Sequence, residues 1–334
     1  MKIKKTLAII MAATLSVAAM TGCSEATTNY AKELANTSSW EATTSEATGT
    51  VSVDAKGEKN DVTFTATGYC SGENGYSEVK FNNTQGKIKI PDIKCYIEDG
   101  IAYINKSYYE ANYTMNGQAV PEGLANIKED YIGIDLGYDN DLMKTLTSKP
   151  DSIIELSKMI FGDNNDLDLP YSQNGREYTL NLDTDATVDL GVKAIKAASN
   201  NIEKINSTFN LKLTDEDMNN MKTAVNGDEF NSGISDIKAQ FAGSNIYSKK
   251  IFSDNDYTAD TNINIKVKDL MNMSISLNQK ASKSEVKSID FPTSKIKVTQ
   301  AEFNKLVSKG NEKTNVQATA QEATSGLATA YNGK

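Results

Sequence analysis

Apolar and polar positions alternate in two stretches of this 334-residue chain, and a helical repeat fills the stretch between them. In "VTFTATGYC", Val62, Phe64 and Ala66 alternate with Thr63, Thr65 and Thr67, which predicts a half-buried strand with a hydroxyl-rich outer face. The stretches "GYSEVKFNN", "GKIKI", "IKCYIEDG" and "IAYINKSYYEANY" repeat the theme, with turn signals at "SGENG", "NNTQG" and "EDG". An antiparallel meander is expected from Trp40 to about Tyr113. A short helix at Tyr30–Ala35 precedes it, after a Ser/Thr-rich tether at residues 24–28.

The period then changes. Ile153, Ile154, Ser157, Ile160 and Phe161 share one helical stripe, with Pro150 at its start and Gly162 at its stop. After a strand, "REYTLNLD", a longer amphipathic helix is marked by Val188, Val192, Ile195, Ile202 and Ile205. Thr214 with Asp217 forms a capping arrangement, and Phe230, Ile234, Ile237 and Phe241 make a further stripe. Strands return from about Ser244 in "IYSKKIF", "ADTNINIKVKDL", "MSISLNQKA" and "EVKSIDFP", and the short helix "TQAEFNKLVSKG" closes the pattern. The Ala/Thr/Gln-biased tail from Asn311 is expected to be disordered.

Neither strand block has its own apolar lid, and the helical middle has no sheet of its own. The expected fold is therefore α+β: a curved antiparallel sheet built from the N- and C-terminal strand blocks, covered by helices from the middle, as one domain over residues 40–310. This order of parts resembles the LolA/LppX-type lipoprotein fold over roughly residues 29–308, through its pattern and through no specific motif. The resemblance implies a cavity between sheet and helices that holds a lipid or other hydrophobic ligand. Val188, Val192, Ile195, Ile202 and Ile205 are the candidate cavity-lining residues. The alternative is a cell-surface interaction protein with a packed core.

The N-terminus sets the location. Lys2, Lys4 and Lys5 precede an apolar run from Leu7 to Met20 that is too short to span a bilayer, as in a secretory signal. Met20-Thr21-Gly22-Cys23 resembles the lipobox of bacterial lipoproteins, which implies cleavage after residue 22 and lipidation of Cys23. Residues 1–22 are then the signal and 23–39 a lipidated tether with the short helix. The protein is expected on the extracytoplasmic face of the cell membrane, held by its lipid and monomeric.

Composition narrows the chemistry. Loss of the three leader lysines takes 35 basic residues to 32 against 44 acidic ones, and the formal charge from -9 to -12. Such a chain repels nucleic acid and anionic headgroups. Arg176 is the only arginine and histidine is absent, which removes arginine clusters, Ser-His-Asp and Cys-His nucleophiles and His-ligated zinc. Ser235 and Lys238 match Ser-x-x-Lys and Ser253-Asp254-Asn255 a second motif of penicillin-recognising enzymes, but their Lys-Thr-Gly partner is missing. The acidic stretches 162–170 and 253–260 lack the glycine and glutamate of an EF-hand loop. No enzyme activity, cofactor or metal is expected. Cys70 and Cys95, each on the apolar side of its strand, are either a disulfide or two buried free thiols.

Overall fold

The computed structural model describes residues 24–55, 57–83, 90–99, 101–135, 158–162, 167–209 and 211–308. The expected signal, Cys23, residues 86–89 of the strand expected at 86–90, the first part of the helix at 150–161 and the tail from Asn311 lie outside them. Twelve strands among the described residues are hydrogen-bonded in the order β12 (Lys295–Thr299), β6 (Tyr131–Asp135), β5 (Ile101–Asn105), β4 (Ile93–Glu98), β3 (Asn74–Asn83), β2 (Glu58–Ser71), β1 (Ala42–Ala55), β11 (Met271–Lys283), β10 (Asp256–Val267), β9 (Asn245–Phe252), β8 (Glu177–Asp183) and β7 (Ser172–Asn174). The fold is α+β, and N- and C-terminal strands share this order as the alternating pattern implies. Among the ladders with a defined register, β12–β6 is parallel and the others are antiparallel. Backbone contacts divide the chain into two compact units, and two of the boundaries between them fall inside β1 (Ala42–Ala55) and β2 (Glu58–Ser71).

Unit 1 (Met1–Trp40, Gly49–Asp61 and Asp139–Lys283) carries the strands β7 (Ser172–Asn174), β8 (Glu177–Asp183), β9 (Asn245–Phe252), β10 (Asp256–Val267) and β11 (Met271–Lys283). Its first element, α1, corrects the sequence expectation. The Ser/Thr-rich stretch is no tether: Ser24 caps a helix that runs Glu25–Ser38, and Thr27 is fully buried. The buried Thr27 hydroxyl is satisfied by Asp168 and the Leu169 carbonyl, which makes its burial affordable in free energy.

Asp183 caps α4 (Thr184–Asn200), whose Leu190, Ala194 and Ala198 pack with Tyr178, Leu180 and Leu182 of β8. Full burial of one such leucine contributes about 1.5–3 kcal/mol. The expected single helix through Ile205 is broken. The Asn201 side chain donates to the Ala197 carbonyl and ends α4, and α5 (Ile202–Phe209) starts afresh. The capping box at Thr214 and Asp217 is present and opens α6 (Asp215–Asn226), which buries Met218 and Val225. Helix α7 (Asp228–Gln240) follows at once and buries no residue.

Unit 2 (Glu41–Thr48, Val62–Tyr138 and Ser284–Lys334) carries most of β2, then β3 (Asn74–Asn83), β4 (Ile93–Glu98), β5 (Ile101–Asn105), β6 (Tyr131–Asp135) and β12 (Lys295–Thr299). "IAYINKSYYEANY" is not one strand. It turns at Asn105, whose side chain accepts from Lys94 N and donates to the Asp92 carbonyl, and continues as α2 (Lys106–Thr114). Tyr109 and Tyr113, four residues apart, then join Leu124 of α3 (Glu122–Ala125), Ile132, Val298 and Phe303 of α8 (Gln300–Val307) in one core. Glycine lets α3 and α8 meet: a Cβ on Gly123 would lie 2.8 Å from the Leu306 carbonyl oxygen. "EVKSIDFP" forms no ladder, and the strand falls later, at β12.

Candidate functional site

On β9–β11 of unit 1 the register sorts side chains onto two unlike faces. Ile246, Ile263 and Ile275 are cross-strand partners, and Ile265–Met273, Val267–Met271 and Thr261–Leu277 extend that face. Leu182 is the partner of Ile246, so the face continues into the buried, helix-covered side of β8. Toward α1 it is closed by Tyr30, Tyr178 and Phe252. Toward the 268–270 turn its aliphatic and thioether side chains are only half-buried, and Leu270 is 52% exposed.

Helix α7 belongs to the layer of helices in this unit, in contact with α4 and α6, and Lys268 N donates to the Gln240 carbonyl. Its apolar stripe is unsatisfied as well: Phe230, Ile234 and the adjoining Phe241 are half-buried, and Ile237 is 48% exposed. An amphipathic helix and an aliphatic sheet face that both stop short of full burial can accept an apolar chain, because the water to be displaced is still there.

The other face is polar. Asn264 donates to Asn245 Oδ1 and pairs with Ser274, and with Ser52, Asp54 and Lys59 these residues line a groove of about 390 Å³. A neighbouring groove of about 420 Å³ lies at the 268–270 turn, where Asp54, Lys266 and Asn272 meet Ala239, Val267 and Met271. Asp61 beside it is held below the usual carboxylate range, first by a hydrogen bond from Ser52 and then by Lys59.

Unit 2 carries a row of tyrosines. Tyr69, Tyr76, Tyr96 and Tyr103 are successive cross-strand partners from β2 to β5, and the next partner is Gly133. Ring centroids are 6.0 Å apart for Tyr69–Tyr76 and 6.4 Å for Tyr76–Tyr96. Tyr103 lies over Gly133, where a Cβ would come within 2.6 Å of its ring. Lys295, ion-paired with Glu98, holds its ammonium over Tyr103 and Phe291. The Tyr69 hydroxyl accepts from Lys287 N at 2.6 Å, so the 284–294 segment is tied to one end of the row, and Tyr76 stays 44% exposed. The row was legible in principle: 69 with 76 and 96 with 103 lie on either side of the turn signals "SGENG" and "EDG".

The structure disperses several sequence candidates. Ile195 and Ile202 are buried, while Val188, Val192 and Ile205 are half-buried, Ile205 against the unit 1 core. Cys70 is exposed and Cys95 half-buried, and both are free thiols. They lie on one face as expected, but β3 stands between their strands, which puts them about 10 Å apart, beyond disulfide reach. Burial pushes the Cys95 thiol up. Native-state labelling with an aromatic disulfide reagent is expected to modify Cys70 at least about tenfold faster than Cys95, because only the thiolate reacts; equal rates would contradict this placement.

Lys238 of the Ser-x-x-Lys match pairs with Asp189 at 2.7 Å, and in the second match the Ser253 carbonyl and the Asp254 carboxylate both accept from Arg176. Asp168 accepts from Ser24 and Thr27. Among the described residues no three His, Cys, Asp or Glu side chains converge as metal ligands, and no described helix is long and apolar enough to cross a membrane. No known family model matches the chain, and no curated protein matches it.

Proposed function

We propose that this is a lipid-anchored extracytoplasmic lipoprotein that binds or carries a lipid or similar aliphatic ligand between α7 and the β9–β11 face of unit 1. One observation carries the reading: two apolar surfaces, the Ile/Met rows of the sheet and the Phe230–Phe241 stripe of α7, are both left half-buried. An acyl chain matches their chemistry. The resemblance of the element order to the LolA/LppX-type fold supports the same reading.

The test is uptake of a fluorescent fatty acid by the delipidated protein. Ile237→Asp sits on the exposed side of α7, so it is expected to weaken uptake by about tenfold or more with little change in melting temperature. Failure of the parent protein to take up the probe would overturn the carrier reading. A second reading, a surface interaction protein, is favoured by the exposure of Tyr76 within the tyrosine row; it would then be the one to pursue.

A further inference from the structure

The residue expected to carry the lipid is joined to the folded body without a spacer. Ser24, next in the chain after Cys23, is already the N-cap of α1, and its hydroxyl accepts from Thr27 N. The Ser24 and Thr27 hydroxyls both donate to Asp168 Oδ1, at 2.8 and 2.6 Å. One turn on, Asn29 Nδ2 donates to Gln173 Oε1, and Tyr30 stacks on Tyr171 at 4.4 Å and meets Tyr178 and Phe252 edge-on.

The chain's single arginine completes the attachment. Arg176 Nε and Nη2 donate to both carboxylate oxygens of Glu33 at 2.8 and 2.7 Å, Nη1 donates to Asp254 Oδ1 at 2.6 Å, and Nη2 donates to the Ser253 carbonyl. A planar bidentate fork fixes direction as well as distance. The Asn29 and Glu33 contacts flank the face of α1 that buries Thr27, Tyr30, Ala31 and Ala35, so the helix is pinned from its N-cap through Glu33.

From this we infer that α1 is a rigid mount, which holds the end of unit 1 bearing residues 168–176 and 253–255 against the headgroup layer of the bilayer that receives the lipid on Cys23. The inference rests on the lipoprotein reading above. Adjacent Cα atoms are about 3.8 Å apart, so Ser24 cannot leave that layer. Asn174 is within about 15 Å of it, given the Asn29–Gln173 bond and the helix rise of about 1.5 Å per residue. This end is polar, with Asn29, Gln173, Asn174 and an Arg176 whose single charge is taken up by two carboxylates, Glu33 and Asp254. Such a surface suits hydrated headgroups without insertion. β10 starts at this end, and at about 3.3 Å per residue its twelve residues place the 268–270 turn roughly 40 Å away. The half-buried end of the apolar face therefore stands off from the anchoring bilayer.

The test uses the full lipidated protein in vesicles of phosphatidylethanolamine and phosphatidylglycerol that carry a headgroup nitroxide. With Cys70 and Cys95 replaced by serine, a fluorophore is placed at Asn174→Cys or at Lys268→Cys. Quenching is expected to be several-fold stronger at 174 than at 268. Insertion of about twelve Gly/Ser residues between Cys23 and Ser24, with a reach of roughly 20 Å, is expected to erase the difference while the protein stays bound. Equal quenching at the two sites in the parent, or a difference that survives the insertion, would overturn the mount. The anchor itself is read separately: if Cys23→Ala protein made in cells remained membrane-bound as the parent does, the lipoprotein reading would fail.

Discussion

Tyr30→Ala is expected to lower the unfolding free energy by about 3–5 kcal/mol, the range for loss of a large buried aromatic side chain. Tyr30 is 4% exposed and lies among Tyr171, Tyr178 and Phe252, with the Lys250 ammonium 5.4 Å from its ring centre. Its removal deletes the aromatic contacts that join α1 to the β8–β9 region, and the ion pair of Arg176, whose side chain is 39% exposed, is too well screened to replace them. Trp40, the only tryptophan, lies two residues beyond α1, so its fluorescence in a urea titration reports the relevant region. A loss below about 1 kcal/mol would mean that α1 is not docked as described, and the rigid mount would lose its basis.

Leu124→Ala is expected to cost about 2–5 kcal/mol in unit 2. Leu124 is fully buried, at the centre of a core that gathers Tyr109, Ile132, Val298, Phe303 and Leu306. The cavity cannot easily close, because α3 and α8 already touch backbone to backbone at Gly123 and Leu306 and neither can move inward. Hydrogen exchange should register the change first in α3, α8 and β6. Loss of protection confined to the unit 1 helices would contradict the assignment of this core.

Strand alternation is a local property, and the sequence carried it well. Val62 to Ala66, the 245–252 stretch and the long hairpin from Asp256 to Lys283 are strands where the period of two places them. Helical periodicity was less reliable where two periods overlap. Tyr103, Tyr108, Tyr109 and Tyr113 read as one strand because tyrosine favours strands, yet the last three lie on α2, since Asn105 diverts the backbone. The break at Asn201 was equally hidden, because Val188 to Ile205 keep a helical spacing through a residue that ends one helix and precedes the next.

The candidate site divides in the same way. The apolar alternation of β10 and β11 and the stripe of α7 were visible, whereas their incomplete burial was not, because exposure depends on what packs opposite. The five helix residues read as cavity-lining differ in burial for the same reason.

By itself the sequence determined the α+β class, the period of each strand and most helices, and the lack of histidine chemistry, because each follows from neighbouring residues or from composition. Only the tertiary structure decided that Cys70 and Cys95 are a strand apart, that four tyrosines align across β2–β5, and that Glu25–Ser38 is a docked helix rather than a tether. Each of those depends on register or on partners over a hundred residues away, such as Asp168 for Thr27 and Arg176 for Glu33, and no local pattern in a chain encodes which distant side chain will stand opposite.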